Sequence, residues 1–309
     1  MASLAGSKDS GSGRKGAITD HPIIPGYAGH LKGLFREFLD VPLKVVLDSG
    51  NGTAGLIAPE VIRSMGCEVI ELYSEPDGRF PNHHPDPTIP KNLETIISTV
   101  KSSGADLGIA FDGDSDRIGV IDEKGTVLWG DQLMVLFSRD ILQSRPGATF
   151  VSEVKCSQTM YDDIRSHGGN AIMWKTGHSL IKAKMKETGA ALAGEMSGHI
   201  FFADRYFGYD DAIYAACRVV ELLKKTRTQT KAREPLSSLM ADLPKTFNTP
   251  EIRFDCPDAL KFKVVDRVRE LYAHPEKMAL SVREVITVDG IRAVFQNGWG
   301  LIRSSNTQP

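Results

Sequence analysis

Short apolar runs recur along this chain, and the intervals between them carry helical periodicity or glycine-rich loops. That alternation leaves few folds open, because strand, helix and strand in succession return the chain to one sheet in parallel. Residues 43–47 form the first run and stop at Asp48-Ser49-Gly50-Asn51-Gly52. The spacing predicts a helix over 58–65, a strand over 69–73, a helix over 92–100 and a strand over 107–111. Residues 118–129 predict a hairpin turning at Glu123-Lys124-Gly125, and 132–142 a helix. After Arg145-Pro146-Gly147 the pattern restarts, with strands over 149–154, 171–174 and 190–193 and helices over 158–165, 179–187 and 210–225. A third region begins near Thr249-Pro250. It predicts a strand over 251–254, a helix over 259–272, and strands separated by Asp289-Gly290 and Asn297-Gly298 turns. The expected class is α/β: two consecutive sandwiches with parallel or mixed sheets, then a shorter α+β region. In such sheets functional loops gather at the carboxyl ends of the strands.

The loop after the third strand is the most telling. Ala110-Phe111-Asp112-Gly113-Asp114-Ser115-Asp116-Arg117 puts carboxylates at alternate positions between two apolar segments. Three anions folded around one point repel unless a cation sits among them, and an all-oxygen set suits Mg²⁺, Mn²⁺ or Ca²⁺. Arg117 adds a planar phosphate-binding fork, so the group suits phosphate chemistry. A solvated surface loop is the plain alternative, but the apolar flanks and the two glycines argue against it. A calcium EF-hand is weak too. Asp112, Asp114, Asp116 and Glu123 fit its positions, but Arg117 stands where the turn needs glycine, and strands rather than helices flank the loop.

Other loops add donors and acceptors. Gly194-Glu195-Met196-Ser197-Gly198-His199 can present Glu195, Ser197 and His199 on one side of an extended segment, as a ring of sugar hydroxyls requires; a polar turn with a core histidine is the alternative. Lys155 and His178 each follow a strand and could donate or accept a proton or meet a phosphate, although a structural histidine is the commoner case. His83 and His84 lie in the proline-fixed segment Phe80-Pro81-Asn82-His83-His84-Pro85-Asp86-Pro87, which reads as a rigid connection. Arg303-Ser304-Ser305-Asn306-Thr307 follows an apolar run and has the makings of a phosphate cradle.

Composition narrows the class. With 309 residues, two domains or three small ones are expected; 41% hydrophobic and 25% charged residues are ordinary for a water-soluble globular protein. A net charge of -2 gives no basic field to recruit nucleic acid or anionic membrane. No apolar stretch could span a bilayer, the first twenty residues lack a signal-peptide core, and Cys67, Cys156, Cys217 and Cys256 lack paired spacing. The expected location is cytoplasmic.

Taken together, these loops resemble the α-D-phosphohexomutase family, and within it the bifunctional phosphomannomutase/phosphoglucomutase branch. The resemblance runs from residue 18 to 309 and includes the Asp48 and Phe80 loops. It implies an isomerase that moves phosphate between the C1 and C6 oxygens of mannose or glucose phosphate through a hexose 1,6-bisphosphate. It further implies that Asp112, Asp114 and Asp116 hold Mg²⁺, that Arg117 handles the moving phosphoryl group, and that Lys155 and His178 flank the reacting hydroxyl. Glu195 and Ser197 would grip the sugar, with His199 in the same loop. Arg303, Ser304, Ser305, Asn306 and Thr307 would hold the other phosphate. The family's phosphoserine segment, of Thr-Ala-Ser-His-Asn-Pro type, is not found in this sequence. The implied organisation is a disordered tail and connector over 1–27, a metal-binding α/β domain over 28–146, a sugar-binding α/β domain over 147–248, and a truncated phosphate-binding α+β domain over 249–309. A missing N-terminal domain would be the partner, and the chain alone is expected to be inactive. A non-catalytic phosphosugar-binding protein is one rival. A phosphatase with an aspartate nucleophile is another, although its Asp-x-Asp pair belongs after the first strand of the core.

Overall fold

The computed structural model describes residues 19–249, 251–272, 274 and 281–305. Strands β1 (Leu43–Asp48), β2 (Cys67–Leu72), β3 (Leu107–Phe111), β4 (Ile118–Asp122) and β5 (Val127–Leu128) form one sheet in the order β2-β1-β3-β4-β5. The first three strands are parallel; β4 and β5 return antiparallel. Alternate residues of β1 face opposite sides. Val45 and Leu47 join the large core with helix α2 (Ala58–Ser64), whereas Val46 joins a smaller core with helix α3 (Glu94–Ser103). Burial on both faces is what the continuous apolar strands require.

The second sheet repeats the plan. Strands β6 (Thr149–Glu153), β7 (Asn170–Trp174), β8 (Leu192–Gly194) and β9 (Ile200–Phe202) lie in the order β7-β6-β8-β9, with β9 antiparallel. Helices α4 (Gly130–Ser144), α5 (Gln158–Ser166) and α7 (Ala212–Thr230) cover one face, and α6 (His178–Thr188) the other. The large core runs through both units. Within it α7 carries buried cations to each: Arg218 pairs with Asp204 beyond β9 at 2.8 Å, and Arg227 with Asp106 ahead of β3 at 2.8 Å.

The third region holds helix α8 (Asp258–Tyr272) and an antiparallel meander of β10 (Val282–Ile286), β11 (Ile291–Phe295) and β12 (Trp299–Ile302).

Three expectations need correction. The tail and connector implied over 1–27 runs into helix α1 (Ile23–Leu34), whose Ala28 and Leu31 enter the large core. Alternating Gly26, Gly29 and Gly33 hid it from periodicity. The strand predicted over 251–254 is not formed, and Ile252 and Phe254 stay exposed. Strand β9 was not anticipated, being only three residues long. The predicted disorder of the first residues lies outside the described residues.

Candidate active site

The acidic loop is the turn of the β3–β4 hairpin, and its first carboxylate organises it. Asp112 is buried, and one of its oxygens accepts the amides of Asp116 and Arg117, each at 3.0 Å. The other oxygen accepts Nε of Arg117 at 2.7 Å. Ser115 takes a left-handed conformation (φ 67°), which folds the loop back on itself. Oxygens of Asp112, Asp114 and Asp116 all come within 4.8 Å of one another, so the three carboxylates converge as their spacing suggested. The Asp48 loop braces the turn: the Thr53 amide donates to the Gly113 carbonyl at 3.0 Å. A Cβ on Gly52 would lie 2.7 Å from that same oxygen, so the close approach requires glycine. His83 braces Asp48 in turn, at 3.1 Å.

The Gly194–His199 loop is the corresponding turn of the β8–β9 hairpin. The two turns meet backbone to backbone. Arg117 and His199 form an antiparallel bridge, and the Ile118 amide donates to the Gly198 carbonyl at 3.1 Å. The contact brings His199 Nδ1 to 3.6 Å from Asp116 and 3.3 Å from Asp210. His178, at the start of α6, stacks on His199 with ring centroids 5.7 Å apart and lies 3.8 Å from Asp210. Glu195 accepts the Gly177 amide at 2.7 Å. Lys155 Nζ lies 3.6 Å from the buried Glu153 carboxylate, which also accepts the Met196 amide. Arg303 pairs at 3.1 Å with Asp289, which also accepts the Thr176 amide at 3.1 Å. The residues named from Asp112 to Arg303 thus border one region. Ser197 sits half-buried in its loop, as do Ser304 and Ser305 in theirs; Asn306 and Thr307 lie outside the described residues.

Negative charge is concentrated at the site. Burial, and then the neighbouring carboxyl of Asp112, push Asp116 up to about 7. Burial together with Glu153 raises Glu195, against the opposing Gly177 amide. Burial would lower His199, but Asp210, Asp116 and Glu195 outweigh it and raise the imidazole above its ordinary value. Burial works against Asp210 too, yet His199 and Lys182 hold it well below the ordinary carboxylate range. A divalent cation among the first three carboxylates is the simplest remedy for their crowding, so the donor set fits Mg²⁺.

Residues 26–125 match the family profile described as phosphoglucomutase/phosphomannomutase, alpha/beta/alpha domain II, and residues 129–247 match domain III. The phosphomannomutase/phosphoglucomutase of Pseudomonas putida is 49% identical over 267 residues, which is 86% of this chain and 55% of that protein. The protein of the same name from Pseudomonas aeruginosa PAO1 is 44% identical over 299 residues, 95% of this chain and 60% of that one. The chain belongs to the phosphoglucomutase/phosphomannomutase family. A crystal structure of a phosphoglucomutase/phosphomannomutase family protein from Burkholderia thailandensis agrees in fold, with a TM-score of 0.85 at 41% identity over 96% of this chain and 60% of that one. The chain therefore spans a little over half the length of these family members. Among the described residues no helix is long and apolar enough to cross a membrane.

Sequence reasoning missed Asp210, Glu153 and Asp289, which hold the histidines, Lys155 and Arg303. Asp210 is masked by Asp211, whose side chain caps α7 and makes the pair read as a helix start. Glu153 lies inside a buried strand, and Asp289 reads as an ordinary Asp-Gly turn.

Proposed function

We propose that this chain supplies the metal-, sugar- and phosphate-binding parts of a phosphomannomutase/phosphoglucomutase-type mutase. Such an enzyme interconverts hexose 1-phosphate and hexose 6-phosphate through a hexose 1,6-bisphosphate. The observation that carries this reading is the backbone junction of the two hairpin turns, which sets three carboxylates and Arg117 against Glu195, His199 and His178. Asp112, Asp114 and Asp116 would hold Mg²⁺, which when bound offsets charge on phosphoryl oxygens. Arg117 is held at the mouth of the acidic loop by Asp112 and, at 3.5 Å, by Asp86, where its outer nitrogens can meet a phosphoryl group. Glu195, Ser197 and His199 would orient the sugar ring through its hydroxyls. Lys155 and His178 would stand at the reacting hydroxyl and hold or move its proton. Arg303, with Ser304, Ser305, Asn306 and Thr307, would take the phosphate that is not being transferred.

A mutase of this kind also needs a hydroxyl that accepts and returns phosphate. We assign none to these residues, and the chain by itself is expected to bind hexose phosphate without isomerising it. The test is incubation of the purified chain with Mg²⁺, mannose 1-phosphate and a trace of glucose 1,6-bisphosphate, followed by assay for mannose 6-phosphate. The expected result is binding without turnover, and turnover once the serine-bearing domain of a family member is added. Sustained turnover by the chain alone would overturn the assignment of an outside phosphoryl carrier. Metal-dependent cleavage of an aryl phosphate would point to a phosphatase instead.

A further inference from the structure

Arg292 on β11 is fully buried, the most thoroughly hidden cation among the described residues of the third region. Its Nη1 donates to the carbonyl of Val154 at 2.5 Å and to that of Cys156 at 2.7 Å. Its Nη2 reaches Gln158 Oε1 at 3.3 Å. The guanidinium lies 3.9 Å from the ring centroid of Trp299 on β12 and 5.7 Å from that of Tyr161 on α5. Val154 and Cys156 are the residues on either side of Lys155. All three belong to a tight turn closed by the Cys156 amide on the Glu153 carbonyl at 3.0 Å, and Tyr161 donates to that carbonyl as well at 2.8 Å.

This is a costly arrangement if its only purpose is packing. A buried guanidinium whose hydrogen bonds go to two carbonyls and a side-chain amide gains no close carboxylate partner among the described residues, and apolar residues of the same volume usually serve a core as well. What two bonds from one nitrogen do achieve is to fix the 154–155 and 156–157 peptide planes, on either side of the Lys155–Cys156 plane that the Cys156 amide ties to the Glu153 carbonyl. That sets the direction in which the Lys155 side chain leaves the backbone. Planarity and stacking on an indole make arginine suited to the task, where a lysine could donate but not stack.

We propose that Arg292 is the positioning residue for Lys155, so that docking of the third region onto the second unit aims Lys155 into the site. The role deepens the mutase reading and rests on it for the meaning of Lys155, but the geometry can be tested without any sugar. Glu153 faces Lys155 from the other side, at 3.6 Å, and the same strand end holds Met196 of the sugar loop. A displaced turn would therefore be felt at both.

The test uses the full chain with its lysines carrying ¹³C-methyl groups, and K155M to identify the Lys155 resonance. In ligand-free R292M that resonance is expected to move and sharpen toward the position of a free side chain, while the other lysine resonances stay in place. R292K should restore part of the shift. If R292M fails to fold, W299L is the second variant. Its indole backs the guanidinium, so loss of the stack should loosen Arg292 and move the Lys155 resonance in the same direction. Mannose 1-phosphate is then titrated by calorimetry. R292M and K155M should each weaken binding by about tenfold, the size of one lost charge-assisted contact, and the double variant no further. A Lys155 resonance unmoved in folded R292M or W299L overturns the proposal, and so do additive losses in the double variant. If the wild-type chain binds no hexose phosphate, the mutase reading fails while the resonance still decides the positioning role.

Discussion

The acidic hairpin β3–β4 and the Glu195 hairpin β8–β9 hold the same place in two sheets that share the order of four strands, yet their central carboxylates work in opposite directions. In the first, Asp112 looks inward: it gathers two amides and the Arg117 side chain from within its own turn. In the second, Glu195 reaches out to Gly177 at the start of α6, and Glu153 of β6 takes the Met196 amide. A loop that is to hold a cation needs fixed oxygens whatever else moves, whereas a loop tied to neighbouring strand ends can respond to them. One topology thus yields an inward-braced turn and an outward-braced one.

The largest expected effect breaks the acidic turn from inside. D112N keeps an acceptor but removes the charge that orders Arg117, and calorimetry should show Mg²⁺ affinity reduced about 100-fold or more. Affinity within threefold of the wild type would mean that the three carboxylates are not a cation site. Next comes the junction between the turns. Gly198 has φ +93°, and a Cβ there would lie 2.4 Å from the Ile118 carbonyl. G198A should therefore cost about 2–3 kcal/mol, read as a lower denaturation midpoint, because both the conformation and the contact oppose a side chain. An unchanged midpoint would show that the turns do not depend on their junction. A smaller effect separates the two loops. E195A should weaken mannose 1-phosphate binding about tenfold, as expected for a lost hydrogen bond to a charged group, and leave Mg²⁺ binding unaltered. Equal loss of both ligands would dissolve the distinction drawn between the hairpins.

The hairpins differ equally in how openly the sequence announces them. The acidic turn was legible because its carboxylates sit in one contiguous segment after a fully apolar strand, where spacing alone implies convergence. Most strands and helices of both α/β units were legible for the same reason, α1 and β9 excepted: their periodicity is local. The Glu195 loop could be named from its residues, but its supports could not. Glu153, Gly177 and Asp210 come from three other segments, and only the β7-β6-β8-β9 order brings them together. Strand order, and the burial of Arg292 against the Lys155 turn, are long-range outcomes of packing that no local pattern encodes. The false strand over 251–254 is the converse case. Alternating Ile252 and Phe254 suit a strand, but without a pairing partner among the described residues the pattern has no consequence.

The smallest predicted effect concerns how each hairpin is anchored to α7. The stem of the Glu195 hairpin is tied to the helix by Arg218 and Asp204, and that of the acidic hairpin by Arg227 and Asp106. Asp106 also accepts the Lys44 amide at 2.8 Å and the exposed Arg233 at 3.0 Å. Burial alone would raise Asp106, but these partners outweigh it and hold the carboxyl below its ordinary value. A carboxylate whose folded value is depressed contributes stability that is fully present above its unfolded value of about 3.9, and that is lost as pH falls through the folded value. Acid should therefore release this anchor, with little change in its contribution between pH 5 and 8. Removing Arg233 takes away one of the forces that depress the folded value, so R233A narrows the gap between folded and unfolded values. The variant should lose about 0.5 kcal/mol or less at pH 7, since its partner is a solvent-exposed arginine. The acid limb of its stability profile should also begin at higher pH than in the wild type. Denaturation midpoints measured from pH 7 down to pH 3 decide the point: parallel acid limbs in the two proteins would mean that Asp106 is held down by Arg227 and the Lys44 amide alone, and that the acidic hairpin's stem owes nothing to the chain beyond α7.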